Sequence, residues 1–291
     1  MSQPAAKIVP IAKLIDDDCH KLLTNRASLP SMPDVAARIH EKMRSPNWSV
    51  SSIASIIKSD PSTTTHLLQI ANSALYGGAS RISEIERAIA RIGINSTRDI
   101  VMANALRSMF VTQSQMLAAI MQRTWKRSAR LAAVSAVLAR QVSRQSPEHA
   151  MLAGLLQDIG VLPILNVLKR HHRQLPNESV AQNAVERFAS AVGTILLTRW
   201  GFDAEMIEVA KSRRDWLRNP GPKADLADLV LVARLHAGAV WGSDGELPRP
   251  DEVPAFAKLP LGEVCEDSSL KVLRDEEPAI RDVLLVLGVE V

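Results

Sequence analysis

Apolar residues recur at every third or fourth position through nearly all of this 291-residue chain, and this spacing constrains the fold more than any other feature. The pattern is clear over residues 226–241, and its longest run covers about 116–143. The sequence contains no convincing alternation of apolar and polar residues, which a half-buried β-strand requires. An all-α protein is therefore predicted.

Capping and breaker residues divide this pattern into separate helices. Asp60 and Pro61 are typical of a helix start, because an N-cap carboxylate is followed by proline at the first helical position. The helix that they open is predicted to end at residues 76–78. Residues 83–86 match a capping box, and Asn95 is predicted to cap the helix that follows it.

Composition and cysteine content indicate a globular cytoplasmic protein. Hydrophobic residues make up 46% of the chain and charged residues 23%, which suits a large core and argues against intrinsic disorder. Cys19 and Cys265 lie far apart and form no CxxC motif, so neither a disulfide framework nor a zinc site is expected. Residues 1–7 contain no signal-peptide pattern, and no apolar run approaches the ~18 residues of a membrane span.

Charge is distributed unevenly along the chain, although the net charge is only +4. Residues 81–144 contain eleven basic and three acidic side chains, whereas residues 263–290 are acidic. The basic stretch is interpreted either as a solvated face balanced by the acidic end or as a surface for an acidic ligand such as a nucleotide. The first interpretation is favoured, and nucleic acid is the less favoured partner because aromatic residues make up only 3% of the chain.

Four short motifs follow one another along the first third of the chain. They read LPSMP at 29–33, SDP at 59–61, IANSALYG at 70–77 and AIARIG at 88–93. In order and spacing these motifs resemble those of the HDOD domain family. A further segment, AGLLQDIG at 153–160, resembles the AGLLHDIG element of HD-superfamily phosphohydrolases. The resemblance covers roughly residues 29 to 240 and leaves the tail beyond about residue 245 unmatched.

The resemblance implies two packed helical subdomains, the second similar to an HD-domain bundle. The predicted division is an N-terminal helix at 1–28, an HDOD subdomain at 29–112, an HD-like subdomain at 113–245 and an acidic segment at 246–291. The implied function is a non-catalytic regulatory module of bacterial signal transduction, without a cofactor, whose partners are other signalling proteins. Partner identity and oligomeric state do not follow from the sequence.

The positions where HD phosphohydrolases carry metal ligands are substituted in this chain. The histidine–aspartate pair reads Gln157-Asp158. The resemblance assigns the other ligand positions to Arg127, Ala189, Arg213, Arg214 and Arg234. A guanidinium is a permanent cation and cannot ligate a metal, so no metal and no catalytic residues are expected.

Two interpretations of these substitutions remain open, beside a third in which a phosphohydrolase uses rearranged ligands. In the first, Asp158 forms a buried ion pair with Arg127 and with one or more of Arg213, Arg214 and Arg234. In the second, the same side chains form a cationic pocket that grips a nucleotide or another phosphorylated ligand. Gln157 belongs to this candidate site in both interpretations.

The HDOD motif residues allow a structural and a functional interpretation. Asn72, Ser73 and Tyr76, followed by Gly77, can terminate a helix and satisfy backbone groups near its end. Together with Asp60 and Pro61, the same residues can instead form a contact surface for a partner. The structural interpretation is favoured.

Overall fold

The computed structural model describes most of the chain as helix. It describes residues 11–25, 29–73, 76, 80–111, 115–143, 145–171, 178–242 and 246–289, without the side chains of 115–117 and 178. Within these ranges the helices are α1 Ile11–Thr24, α2 Asp34–Arg44, α3 Val50–Lys58, α4 Pro61–Ala71, α5 Ile85–Ile92, α6 Ile94–Ser108, α7 Gln115–Val142, α8 Pro147–Leu156, α9 Val161–Arg170, α10 Glu178–Trp200, α11 Ala204–Lys211, α12 Leu226–Trp241, α13 Pro254–Ala257, α14 Lys271–Asp275 and α15 Glu277–Val286.

The predicted all-α class is confirmed. The described part of the chain contains no β-strand, only one isolated bridge between Val264 and Leu270. Helix–helix contacts fall into two groups, α2 to α6 and α7 to α12, which meet where α6 packs on α8. The predicted boundary after residue 112 lies between α6 and α7, in a segment outside the described residues, and stays a prediction.

Helices α7, α8 and α9 form the centre of the core. The contact between α7 and α8 is the most extensive in the fold, and Gly154 permits it because a Cβ there would lie 2.7 Å from the Ala132 Cα. The segment Pro147–Arg170, which comprises α8 and α9, has the length and composition of a membrane span. It is 94% buried inside the fold, so its apolar character is explained by core packing.

Two predicted helix starts differ in the structure. Asp60 caps α4 as predicted, since its Oδ1 accepts a hydrogen bond from the Thr63 N–H at 3.0 Å. The prediction of a capping box at residues 83–86 is wrong, because α5 begins at Ile85 without a side-chain cap. The prediction for Asn95 is also wrong. Gly93 connects α5 to α6 directly with a φ of 90°, so α6 already begins at Ile94 and Asn95 lies inside it.

Helix α4 ends earlier than predicted. Its last residue is Ala71, and the predicted stop at Gly77 and Gly78 lies outside the described residues. The Asn72 amide donates to the Leu68 carbonyl at 2.8 Å. It also pairs with both backbone groups of Ile82, donating to the carbonyl and accepting from the N–H at 2.7 Å each. This asparagine therefore ends the helix and fixes the segment that leads into α5.

The acidic C-terminal segment is anchored on α7 and α12. Helix α15 lies against α7 and buries its apolar face there, which consists of Ile280, Val283 and Leu284. Lys258 Nζ donates to Asp228 Oδ2 at 3.0 Å, and the Leu270 N–H donates to His236 Nδ1 at 2.9 Å. Burial lowers the pKa of His236 to about 4, so it remains a neutral acceptor at pH 7. The segment thus belongs to the same folded core, although the family motifs do not reach it.

Of the glycines that the structure describes, Gly160 is predicted to lose the most stability on substitution, because it allows α10 to approach the turn between α8 and α9. A Cβ at this position would lie 2.0 Å from the Ala189 carbonyl oxygen and 2.5 Å from the Gly193 nitrogen. Both are backbone atoms that cannot swing aside, so Gly160→Ala is expected to lower the free energy of unfolding by about 3 kcal/mol or more, measured by urea denaturation.

Gly221→Ala is the matched control for this substitution. No atom lies within 4 Å of the Cβ that it would add, so the same chemical change is expected to shift the free energy of unfolding by less than about 1 kcal/mol. Equal effects of the two substitutions would show that the close approach of α10 does not limit stability.

Candidate functional site

A tight turn between α8 and α9 places Asp158 at the centre of the candidate site. Helix α8 ends at Leu156, the Gln157 N–H still donates to the Ala153 carbonyl at 3.0 Å, and α9 begins at Val161. Because Gly160 lets α10 close over this turn, the Asp158 side chain is 0% exposed. A carboxylate in such a position is stable only when it is paired.

Three arginines from different parts of the sequence surround this carboxylate. Arg213 follows α11, and its Nε donates to Asp158 Oδ1. Arg234 on α12 lies with both terminal nitrogens 3.3 to 3.5 Å from the two carboxylate oxygens. The Nε of Arg127 on α7 lies 3.6 Å from Asp158 Oδ2. These four residues form what we call the Asp158 cluster.

Gln157 extends the cluster through Arg234. The Arg234 Nη1 atom donates to Gln157 Oε1, and the glutamine is 1% exposed. Gln157 therefore accepts from a cation at the position where the resemblance implies a histidine ligand. Among the described residues, Gln157 Nε2 and Arg213 Nη2 are buried without a hydrogen-bond partner.

Arg214 does not join the Asp158 cluster directly. Its Nη1 lies 2.6 Å from Glu186 Oε2 on α10, and Arg213 Nη1 lies 3.7 Å from the same oxygen. Burial, followed by the charge of Arg213, lowers the pKa of Arg214. The structure thus brings three of the four predicted arginines to Asp158 and places the fourth beside them on a second carboxylate.

Electrostatics keep Asp158 ionised. Burial alone would raise its pKa, but the charges of Arg213, Arg234 and Arg127 outweigh burial and hold the pKa well below the usual 3.8. Burial lowers the pKa of Arg234 to about 9, against the charge of Asp158, so this arginine is still protonated at pH 7. The cluster is therefore a set of full charges in a buried site.

The side chains around Asp158 do not fit a divalent metal. A hydrolytic metal needs several neutral or anionic donors and one open position for water, whereas the groups on this carboxylate are guanidiniums. Ala189, at another position assigned to a ligand, is buried and has no donor atom in its side chain. The described residues contain no group of three or more His, Cys, Asp or Glu side chains placed to hold a metal.

A cavity lies beside the cluster, where the second interpretation of the sequence expects a cationic pocket. It has a volume of about 570 Å³ and lies between α7, α10 and α12, with Arg127, Arg214 and Arg234 among its lining residues. Arg123, Lys126 and Arg130 also line it, and their spacing on α7 places them on one helix face with Arg127. That spacing is visible in the sequence, but the opposite wall is contributed by distant segments.

The family is established by direct comparison. The model of the HDOD domain matches residues 29–215. The chain belongs to the HDOD domain family. An uncharacterized protein of Treponema pallidum is 20% identical over 231 residues, which are 76% of this chain. The chain spans only 44% of the length of that protein.

Several solved structures share the HDOD fold of this chain. A candidate metal-dependent phosphohydrolase of Shewanella amazonensis superposes with a TM-score of 0.73 at 24% identity, covering 92% of this chain and 99% of its own. An HDOD domain protein of unknown function from Geobacter sulfurreducens gives 0.65 at 18% identity, covering 94% and 98%. A candidate signal transduction protein of Marinobacter aquaeolei gives 0.58 at 18% identity, covering 97% and 68%. At these identities the likeness shows the fold alone.

The HDOD motif residues that the structure describes bind other parts of the same chain. Asn72 pairs with Ile82 as described above, and Ser73 Oγ donates to the Ile70 carbonyl at 2.8 Å. The Tyr76 hydroxyl donates to Glu148 Oε1 on α8. These contacts agree with the structural interpretation, whereas a role of the motif as a partner surface stays a prediction.

Glu148 connects the two groups of helices. Besides Tyr76, it accepts from Ser96 Oγ on α6 at 3.0 Å and from Ser146 Oγ at 2.7 Å, both at its Oε2 atom. Asp60 and Pro61, two further motif residues, lie at the start of α4, which Asp60 caps. The HDOD motifs therefore position α4 and α8, and through α8 they support the turn that carries Asp158.

Replacing Asp158 tests the electrostatics of the cluster. Asp158→Asn keeps the shape of the side chain but leaves three arginines without their shared anion, so a loss of about 3–5 kcal/mol in the free energy of unfolding is expected. The pKa of Asp158 is depressed, so its contribution is present above pH 3.8 and is lost only as the pH falls below that value. The deficit of the variant should therefore be constant between pH 5 and pH 8.

Asp275→Asn is the control for this measurement, because Asp275 is exposed at the end of α14. It should leave the urea midpoint unchanged. A variant Asp158→Asn as stable as the wild type would contradict the description of the cluster as a charge-compensated core element.

Proposed function

We propose that this HDOD protein is a non-catalytic regulatory module of bacterial signal transduction that acts by contact with other signalling proteins. Two observations support a signalling role. The family match covers residues 29–215, and the Marinobacter aquaeolei structure with the same fold is named a candidate signal transduction protein.

The observation that carries the non-catalytic part of the proposal is the arginine shell of Asp158. Metal-dependent hydrolysis needs a metal that lowers the pKa of a bound water and polarises the phosphoryl group. In this chain the guanidiniums of Arg213, Arg234 and Arg127 occupy the surroundings of the one carboxylate left from the HD pair. A metal there would be repelled by three cations and would have a single protein donor.

A phosphohydrolase with rearranged ligands is the less favoured alternative. Such an enzyme needs another cluster of donors, and the described part of the chain has no group of three or more His, Cys, Asp or Glu side chains placed to hold a metal. Two isolated histidines have structural roles as hydrogen-bonding partners within the fold. His149 Nδ1 lies 3.1 Å from Asp99 Oδ2, and His236 accepts the Leu270 N–H.

The cytoplasm is the proposed compartment. Cys19 is buried and Cys265 is half-buried, and both are free thiols in the fold. Burial raises the pKa of Cys19 to about 11, so this thiol is protonated and unreactive at neutral pH. Free, structurally used thiols suit a reducing environment.

Metal content and turnover together test the proposal. The protein should contain far less than one equivalent of iron, manganese or magnesium when the purified sample is measured by mass spectrometry. It should release no product from bis-p-nitrophenyl phosphate or from cyclic dinucleotides, with or without added Mn²⁺. A preparation treated with a chelator is the matched control, since a metal-independent background is equal in both samples.

Stoichiometric metal with chelator-sensitive turnover would contradict the proposed function. In that case the ligands must come from residues other than those assigned here, and the Asp158 cluster would be a structural feature of an active enzyme.

A further inference from the structure

The cavity beside the Asp158 cluster is strongly cationic. Of the described residues that line it, two are acidic, Glu186 and Glu246. Six are basic: Arg123, Lys126, Arg127, Arg130, Arg214 and Arg234. Arg123 and Lys126 are exposed and mark its mouth, whereas Arg234 is buried at its inner end. Field lines concentrate in a concave site with walls of low dielectric constant, so this charge attracts anions.

The inner part of the cavity holds positive charge at an energetic cost. The pKa values of Arg214 and Arg234 are both lowered, first by burial and in part by the charge of Arg213. An anion in the cavity would relieve this repulsion. A single carboxylate would neutralise only a small share of the charge, whereas a ligand with two or more phosphate groups matches several guanidiniums bidentately.

The same cavity also provides flat apolar surface. Trp216 and Trp241 line it, together with Leu131, Val161 and Leu165. The Arg130 guanidinium carbon lies 5.3 Å from the ring centroid of Trp241, an arrangement that holds this arginine in place. Tryptophan is a good stacking partner for a nucleobase, since both present a large planar π-face. Polyanion recognition and stacking surface therefore occur in one site.

The volume agrees with a ligand of nucleotide size. Binding pockets for small organic molecules usually measure about 300–1,000 Å³, and this cavity measures about 570 Å³. Inorganic phosphate would leave most of it unfilled. A concave pocket of this size also differs from the long groove that tracks a nucleic acid backbone.

We propose that this cavity binds a purine nucleotide with at least two phosphate groups. The phosphates contact Lys126, Arg127 and Arg130, and the base stacks on Trp216, because Arg130 already lies over the ring of Trp241. The site is separate from the motif residues at Asn72 and Tyr76, and the proposal does not rest on the proposed signalling function. Its consequence is that the HDOD protein responds to a small-molecule ligand without a metal centre.

Calorimetric titration with matched probes tests the proposal. GTP, ATP, inorganic triphosphate, inorganic pyrophosphate and guanosine are titrated separately into the 291-residue protein in a buffer with EDTA. GTP or ATP should bind at least about 10-fold more tightly than inorganic triphosphate, because only the nucleotide adds base stacking. Guanosine should bind more weakly than GTP. The affinity of the nucleotide should fall as salt is raised from about 50 to about 300 mM, because salt screens the attraction between the phosphates and the basic side chains.

Variants separate the two parts of the site. Lys126→Gln removes an exposed charge and should weaken nucleotide and pyrophosphate alike by about 10-fold or more. Trp216→Leu should weaken the nucleotide and leave pyrophosphate unchanged, which a general loss of folding would not do. Arg87→Gln is the control, since it removes one exposed arginine on α5, where Arg87 pairs only locally with Glu84. It should bind like the wild type.

Three results would overturn the proposal: no binding of GTP or ATP at millimolar concentration, equal affinity for inorganic triphosphate and nucleotide, or nucleotide affinity that Lys126→Gln does not change. Hydrolysis of a bound nucleotide would contradict the non-catalytic function proposed above and leave the binding site intact. Binding without hydrolysis agrees with both proposals, so the two are tested separately.

Discussion

The pairing of one buried carboxylate with three arginines is the interaction on which the centre of this fold depends. Asp158 lies in the turn between α8 and α9, and its partners come from α7, from the end of α11 and from α12. Removing ions from water costs several kcal/mol for each ion, so these helices are held in the one arrangement that pairs the charges. The cluster specifies the geometry of the bundle as well as contributing to its stability.

In the proposed non-catalytic function, guanidiniums take the place that a metal occupies in the HD phosphohydrolases which the sequence resembles. A divalent metal would compensate buried carboxylates and connect the helices that carry them. In this chain Arg213 and Arg234 supply the positive charge and the hydrogen bonds, and Gln157 accepts from Arg234 where the resemblance implies a histidine. Positive charge then continues into the neighbouring cavity, where Lys126 and Arg130 lie on the same face of α7.

The sequence predicted most helices well, because their limits depend on neighbouring residues. The limits of α12 at Leu226 and Trp241 were predicted, as was the start of α4 at Pro61. Predictions failed where the limit of a helix is set by an unusual backbone conformation or by a partner distant in the sequence. Gly93 adopts a positive φ and starts α6 one residue before Asn95, and Asn72 ends α4 by binding a segment ten residues further on.

The candidate site was only partly predictable for the same reason. The resemblance assigned Arg127, Arg213 and Arg234 to positions that meet at Asp158, because equivalent helices converge there. Arg214 instead pairs with Glu186, because the direction of its side chain is set by the backbone that follows the end of α11. A cationic pocket was one of the two interpretations of the arginines, but its tryptophan-lined wall was not predicted, because Trp216 and Trp241 belong to segments far along the chain from α7.

A double-mutant cycle between Asp158 and Arg213 tests most directly whether the buried carboxylate and its arginines stabilise the fold as one charge-paired unit. Urea unfolding of Asp158→Asn, Arg213→Gln and the double variant gives the coupling energy between the two side chains. The account predicts a coupling of about 1–3 kcal/mol, with the double variant losing less stability than the sum of the two single losses. Losses that add to within about 0.5 kcal/mol would show that the two charges act independently and would contradict it.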